Sequence, residues 1–247
     1  MDRPDYLERN GRRLAIRRRG GRGPALLFLP GYASDMDGGK ATALDSWAAE
    51  QGRAMLRFDY AGCGLSEGEF DAQTLALWRD DSLAMIDSLE GPVVLVGSSM
   101  GGWLMLLAAL ARPERVAGLV GIAAAPDFTD WGFDEAQKRT IVGTGRLEEP
   151  SPYGETPCVT TRAFWESGQS LRLLGGEIAI DCPVRLLHGL DDSDVLWRIS
   201  MRLMDRLRSG DVRLTLIKAG DHRLSRPGDI AHLIAAVESL KPGDDDF

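Results

Sequence analysis

The chain has 247 residues, 44% of them hydrophobic and 27% charged, enough for one domain with a substantial core. A formal net charge of −8 argues against a nucleic-acid partner, which wants a basic face, and against an anionic membrane surface. Three cysteines, Cys63, Cys158 and Cys182, are too few and too scattered for a disulfide framework or a zinc site, and three histidines form no metal-ligand cluster.

Met1 to Tyr6 carries neither the apolar core of a signal peptide nor the pattern of a transit peptide. No apolar run reaches membrane-spanning length, so a cytoplasmic location without membrane insertion is expected. Tyr6–Arg9 and Arg12–Arg17 read as two short strands joined at Asn10-Gly11, a hairpin at the edge of a sheet. The arginines crowding it, among them Arg12, Arg13, Arg17, Arg18 and Arg19, are read as a solvated edge guarded by charge and given no chemical role. Ala25–Leu29 is continuously apolar, as an interior parallel strand is, and ends in Pro30-Gly31-Tyr32-Ala33. A helix over 42–51 leads to a strand over 53–59 and a glycine-rich turn, Tyr60 to Ser66. That turn lacks both Gly-x-Gly-x-x-Gly and Gly-Lys-Ser/Thr, so it reads as structural, with Cys63 a packed or merely exposed thiol. Residues 74–89 have helical periodicity.

The next stretch, Val93-Val94-Leu95-Val96-Gly97-Ser98-Ser99-Met100-Gly101-Gly102-Trp103, organises the rest. Four β-formers, a Gly-x-Ser-x-Gly frame and a fully apolar run to Leu110 spell a strand, a sharp turn and a buried helix. The frame selects Ser99 and not Ser98, because Ser98 would need glycine where Val96 and Met100 stand. The helix directs free N–H groups and its positive end at the serine, so the Met100 amide is a candidate oxyanion donor. The Tyr32 amide, on the tip of the neighbouring strand, is the candidate second donor, and the Tyr32 ring a candidate wall of an acyl pocket. Taken alone, the frame also fits a βα turn whose serine merely caps the helix.

Val116–Ile122 is the following strand, and strands alternating with helices imply a mostly parallel, doubly wound sheet. The alternation breaks at 126–181, a mixture of polar helix-like pieces and turns including Pro150 to Gly154. It is read as a lid inserted at the carboxyl end of a strand, with most of its aromatics, Phe128, Trp131, Phe133, Phe164 and Trp165, burying it against the body. The sheet resumes at 182–187, followed by His188-Gly189-Leu190-Asp191-Asp192-Ser193-Asp194-Val195, a helix over 196–207, a strand over 212–217, Gly220-Asp221-His222 and a helix over 229–240. Residues 1–125 and 182–240 thus form the core, 126–181 the lid, and the aspartate-rich 241–247 a disordered tail.

A nucleophilic serine needs a base and an acid. His232 lies within the last amphipathic helix, and His188 ends a strand before glycine, a place for a turn-stabilising hydrogen bond. His222 sits in a loop at the same end of the sheet as Ser99 and is the expected base. Three aspartates, Asp191, Asp192 and Asp194, lie at that end as candidates for the acid.

Gly97-x-Ser99-x-Gly101, His188-Gly189-x-x-Asp192-x-x-Val195 and Gly220-Asp221-His222, in this order, resemble the α/β-hydrolase family, whose triad runs Ser, Asp, His along the chain. The resemblance spans about residues 25 to 240 and carries the acid onto Asp192, with Asp191, Asp194 and Asp127 as fallbacks. Leu29-Pro30-Gly31-Tyr32, Arg57-Phe58-Asp59-Tyr60-Ala61-Gly62, Ala111-Arg112-Pro113-Glu114-Arg115-Val116 and Cys182 to Gly189 further resemble the palmitoyl-protein thioesterases among the α/β-hydrolase-domain proteins, a group that also cleaves acyl-glucuronide esters. The resemblance implies a serine hydrolase of small or acylated-protein esters or thioesters, with neither metal nor organic cofactor. A carbon–carbon bond hydrolase with the same triad and a non-catalytic binding module are the alternatives, whereas dehalogenase or epoxide hydrolase chemistry needs a carboxylate where Ser99 stands.

Overall fold

Strands buried on both faces must alternate between two cores, and that alternation builds the molecule. The computed structural model describes residues 3–9, 11–150 and 157–240. The N-terminal hairpin pairs β1 (Asp5–Arg9) antiparallel with β2 (Arg12–Arg19), although Asn10 of its turn lies outside the described residues. Next come β3 (Arg22–Leu29), β4 (Arg53–Phe58), β5 (Val93–Ser98) and β6 (Val116–Ile122). A separate small hairpin, β7 (Arg146–Glu149) with β8 (Cys158–Thr161), precedes β9 (Val184–Gly189) and β10 (Val212–Ile217).

The main sheet has the order β1-β2-β4-β3-β5-β6-β9-β10, with β2 antiparallel to β4 and every neighbouring pair from β4 to β10 parallel. Chain order reverses between β3 and β5, and at such a reversal the loops beyond the carboxyl ends diverge to leave a crevice. The tips carrying Tyr32 and Ser99 flank it.

Along β3, Leu27 and Leu29 face α2 (Leu75–Asp87) and α3 (Met100–Ala111), whose Trp78, Trp103 and Leu104 are buried with them. Leu26 and Phe28 face the other way, onto Leu44 and Trp47 of α1 (Gly39–Glu50) and Leu233 and Val237 of α8 (Pro227–Glu238). Helix α3 is buried from Met100 to Ala109, which is why its sequence shows no polar face. Thr74 begins α2 by accepting the Leu77 amide at 3.2 Å.

Residues 126–181 do not read as helices and turns alone. They hold α4 (Phe128–Trp131), α5 (Glu135–Thr144) and α6 (Arg162–Ser170), but also the β7–β8 hairpin, whose strands are too short to show a period. Pro150 marks the end of β7, and Ser151 to Gly154 of the expected turn lie outside the described residues, as does 241–247. The hairpin arginines have structural partners beyond a solvated edge. Arg17 and buried Arg57 both reach Asp37, at 3.0 and 2.8 Å, and Arg19 and Arg57 reach Asp45 at 2.8 and 2.9 Å, tying α1 and the loop before it to the sheet.

The Tyr60–Ser66 turn is structural, as its sequence implied. Asp59 accepts the amides of Met36 at 2.7 Å and Leu65 at 2.8 Å, and Tyr60 donates to the Pro30 carbonyl at 3.3 Å. Within it the Cys63 thiol is pushed up to about 12, first by burial and then by Asp59 and Asp81. A thiol titration of the folded protein at pH 8, read by peptide mapping, is expected to leave Cys63 unmodified; rapid alkylation there would contradict this packing.

Candidate active site

Ser99 occupies the turn between β5 and α3 with φ of 54° and ψ of −120°, a conformation that few non-glycine residues adopt. Three hydrogen bonds hold it: its amide donates to the Ile122 carbonyl at 2.9 Å, and its own carbonyl accepts the amides of Gly102 at 2.9 Å and Ala125 at 3.0 Å. The strain is met by absent side chains nearby. A Cβ on Gly97 would lie 2.4 Å from the Gly101 carbonyl oxygen, and one on Gly101 would lie 2.1 Å from that of Leu29. The sequence frame identified both positions. It did not identify Gly102, where a Cβ would meet the Ala124 side chain at 2.5 Å, because that contact crosses to the loop after β6.

The His222 ring meets both partners. Its Nε2 lies 3.1 Å from Ser99 Oγ and its Nδ1 2.8 Å from Asp192 Oδ2. The loops after β9 and β10 are brought together backbone to backbone, since a Cβ on Gly189 would lie 2.2 Å from the Gly220 carbonyl, and the Asp191 amide donates to that carbonyl at 2.9 Å. Asp192 Oδ1 accepts the amides of Asp194 at 2.9 Å and Val195 at 2.8 Å. Burial alone would raise this carboxyl, but hydrogen bonds from His188, His222 and the Val195 amide outweigh it and hold the group well below the usual carboxylate range.

The fallback acids lie elsewhere in their bonding. Asp127 is buried within the inserted segment and accepts the amides of Leu173 at 2.7 Å and Leu174 at 2.8 Å, and Asp191 is exposed. Asp194 borders the cavity and takes the Ser193 hydroxyl at 3.3 Å, while the imidazole partner is Asp192. His232 is exposed on α8. Buried His188 does more than the turn-stabilising bond read from the sequence: besides Ser200 and Val195, it touches Asp192 Oδ2. Its spacing of four from Asp192 was visible, but only the curl of the loop turns spacing into contact.

The Pro30–Tyr32 loop lies against the serine, where a Cβ added at Gly31 would be 3.4 Å from the Cβ of Ser99. Among the described residues neither the Tyr32 nor the Met100 amide is engaged in a hydrogen bond, so both donors are available. The Tyr32 ring packs at 5.3 and 5.8 Å from Phe70 and Trp78 of the body and at 5.1 Å from Phe164 of the inserted segment, and its hydroxyl donates to the Val159 carbonyl. Ser99, Met100 and His222 open on a cavity of about 610 Å³ whose apolar wall includes Phe128, Trp131 and Phe133. Phe164, by contrast, is buried and Trp165 bonds the Thr129 carbonyl at 2.8 Å, so the aromatics divide between packing and cavity. Among the described residues no cluster of side chains could hold a metal ion, and no helix is long and apolar enough to cross a membrane.

Residues 24–140 match the family model of the serine aminopeptidases S33, and residues 88–239 match that of the prolyl oligopeptidase family. Human ABHD10, a mitochondrial palmitoyl-protein thioesterase, is 40% identical over 245 residues, covering 97% of this chain and 78% of its own. The solved structure of mouse α/β hydrolase domain-containing protein 10 superposes with a TM-score of 0.90 at 40% identity, covering 97% of this chain and 98% of that one. A protein from Agrobacterium vitis S4 superposes equally well, TM-score 0.90, at 36% identity, with 97% and 98% of the two chains covered.

Proposed function

Because the chain belongs to the α/β-hydrolase superfamily, and within it to the family of the ABHD10 thioesterases, we propose that it is a serine hydrolase cleaving carboxylic esters or thioesters through an acyl-enzyme on Ser99. The observation that carries this reading is the continuous chain Ser99 Oγ, His222, Asp192 at the edge of a cavity with Phe128, Trp131 and Phe133 in its wall.

In the mechanism the carbonyl of a bound ester or thioester lies over Ser99 Oγ. Oγ attacks as its proton passes to His222 Nε2, and the negative charge left on the carbonyl oxygen is met by the Tyr32 and Met100 amides. The ionised Asp192 holds the imidazole with Nδ1 protonated, which leaves Nε2 free to accept, and it stabilises the cation that forms. The alcohol or thiol departs with the proton from Nε2, and a water activated by the same nitrogen releases the acid. The acyl chain is assigned to the side lined by Phe128, Trp131 and Phe133, where burying each methylene contributes about 0.8 kcal/mol. A palmitoyl-protein substrate is one member of the proposed thioester class.

Two readouts test this. A fluorophosphonate probe is expected to modify the peptide containing Ser99 with loss of activity in proportion to labelling. Rates over matched oxygen esters and thioesters from acetyl to palmitoyl are expected to rise with chain length, as the apolar wall requires. Turnover of a vinylogous diketone with no ester hydrolysis would move the assignment to carbon–carbon cleavage, and absence of both labelling and turnover would leave a binding module.

A further inference from the structure

Buried histidines outside a catalytic site are ordinarily satisfied by turns, yet His188 is bonded into the proposed triad itself. It is fully buried at the end of β9, with Nδ1 2.7 Å from Ser200 Oγ on α7 (Arg198–Arg206), and Nε2 2.8 Å from the Val195 carbonyl and 3.1 Å from Asp192 Oδ2. Both neighbours of Nε2 can only accept, so Nε2 carries the proton, bonded chiefly to the Val195 carbonyl at 2.8 Å with Asp192 Oδ2 beside it at 3.1 Å. Nδ1 then accepts from the Ser200 hydroxyl.

Asp192 consequently receives four donors on its two oxygens. The amides of Asp194 and Val195 bond Oδ1, and the two imidazoles meet on Oδ2, His222 through Nδ1 at 2.8 Å and His188 through Nε2 at 3.1 Å. We propose that His188 is a positioning residue for the hydrolysis, a second imidazole that fixes the acid's Oδ2 and divides its charge, so that Ser200, His188, Asp192, His222 and Ser99 act as one hydrogen-bonded chain. The inference rests on the triad reading given above.

The physical effect follows from the sharing. An oxygen that accepts from two donors presents less charge to each than one that accepts from one, and a carboxylate held at four points cannot swing away from its imidazole. Removing the His188 donor leaves Asp192 more basic and less fixed. The first change stabilises His222 when it bears its second proton, which moves the acid limb of kcat/KM to higher pH. The second lowers kcat by misaligning Nε2 toward Ser99. The charged side chains on the elements packed about this chain, Lys40 on α1, Asp221 and Arg223 beside His222, Asp194 beside Asp192 and Asp229 on α8, are the same in every variant compared.

The experiment is a kcat/KM pH profile on an oxygen ester for wild type, His188→Leu and His188→Gln. Gln places an N–H near the position of the lost Nε2 and Leu does not. For His188→Leu the expected result is a fall in kcat of roughly 10- to 100-fold with the acid limb raised by about one pH unit. His188→Gln is expected to recover the limb and most of the rate. A uniform loss in His188→Leu with an unmoved limb, or equal losses in both variants, would reduce His188 to a packing residue and overturn the proposal. The same proteins treated with the fluorophosphonate separate the two ideas, since failure of Ser99 to label in the wild type defeats the triad itself. If His188→Leu does not fold, 15N-histidine spectra of the wild-type protein at neutral pH decide. A proton on His188 Nε2 with Nδ1 bare is expected, and a proton on Nδ1 alone overturns it.

Discussion

Asp192→Asn is expected to lower kcat by about ten-thousand-fold while the protein remains folded. Asp192 Oδ1 is held by two backbone amides, from Asp194 and Val195, so the carboxamide oxygen of Asn takes that place and its NH₂ falls where Oδ2 stood. There it meets His222 Nδ1, which must now accept instead of donate. The ring proton moves to Nε2, and the nitrogen 3.1 Å from Ser99 Oγ can no longer take the serine proton. The same NH₂ opposes the His188 Nε2–H at 3.1 Å, so the loop loses a favourable bond and gains a repulsive one. Single-turnover kinetics should show acylation slowed far more than ester binding is weakened. A variant within tenfold of wild type would show that another group orients His222.

The second large effect is expected at Gly101, where a methyl group suffices. A Cβ there would sit 2.1 Å from the Leu29 carbonyl oxygen and 2.4 Å from that of Pro30, distances at which the backbone itself must move. The segment forced aside is the start of the Pro30–Tyr32 loop, whose Tyr32 amide is assigned to the oxyanion. Gly101→Ala should therefore cost about 3 kcal/mol of stability through overpacking. It should also lower kcat roughly 100- to 1,000-fold through loss of one donor. Thermal unfolding and kcat measured on the same preparation check both, and unchanged values would mean that the loop yields freely. Gly228, where an added Cβ meets nothing within 4 Å, provides the control substitution, with both values expected to stay near wild type.

Most of the architecture was legible because burial imposes a period. β6 begins and ends where its apolar run does, β10 where its alternation of Val212, Leu214 and Leu216 with Arg213 and Thr215 does, and α3 begins at Met100, directly after the serine of the frame. The members of the candidate site were legible for a different reason: each stands at a loop beside a strand's carboxyl end, and order along the chain supplied the rest. Choosing Asp192 among three aspartates needed the family pattern, since all three lie in one loop and only its curvature decides which carboxylate faces His222. The β7–β8 hairpin was not legible, because four-residue strands such as Arg146–Glu149 carry charge on an exposed surface and are held by cross-strand pairing, which no local pattern records. The second bond partner of Asp192 escaped for the same reason, with Ser200 and His188 meeting only after α7 folds back on β9.

Strands β6 and β9 are adjacent and parallel, with Val120 beside Arg185 and Ile122 beside Leu187, so the chain leaving one must cross a face of the sheet before entering the other. In this protein residues 123–183 make that crossing, and they also wall the cavity with Phe128, Trp131 and Phe133. The return path and the wall are one piece of chain. An excision that removed the wall outright would break the connection, whereas an exchange that leaves after Ala125 and rejoins at Val184 keeps the Ile122 carbonyl on which the Ser99 amide rests and the Ala125 amide that the Ser99 carbonyl accepts. In the proposed hydrolase the wall of the cavity is thus carried by one connection between neighbouring strands, rooted a single hydrogen bond from Ser99.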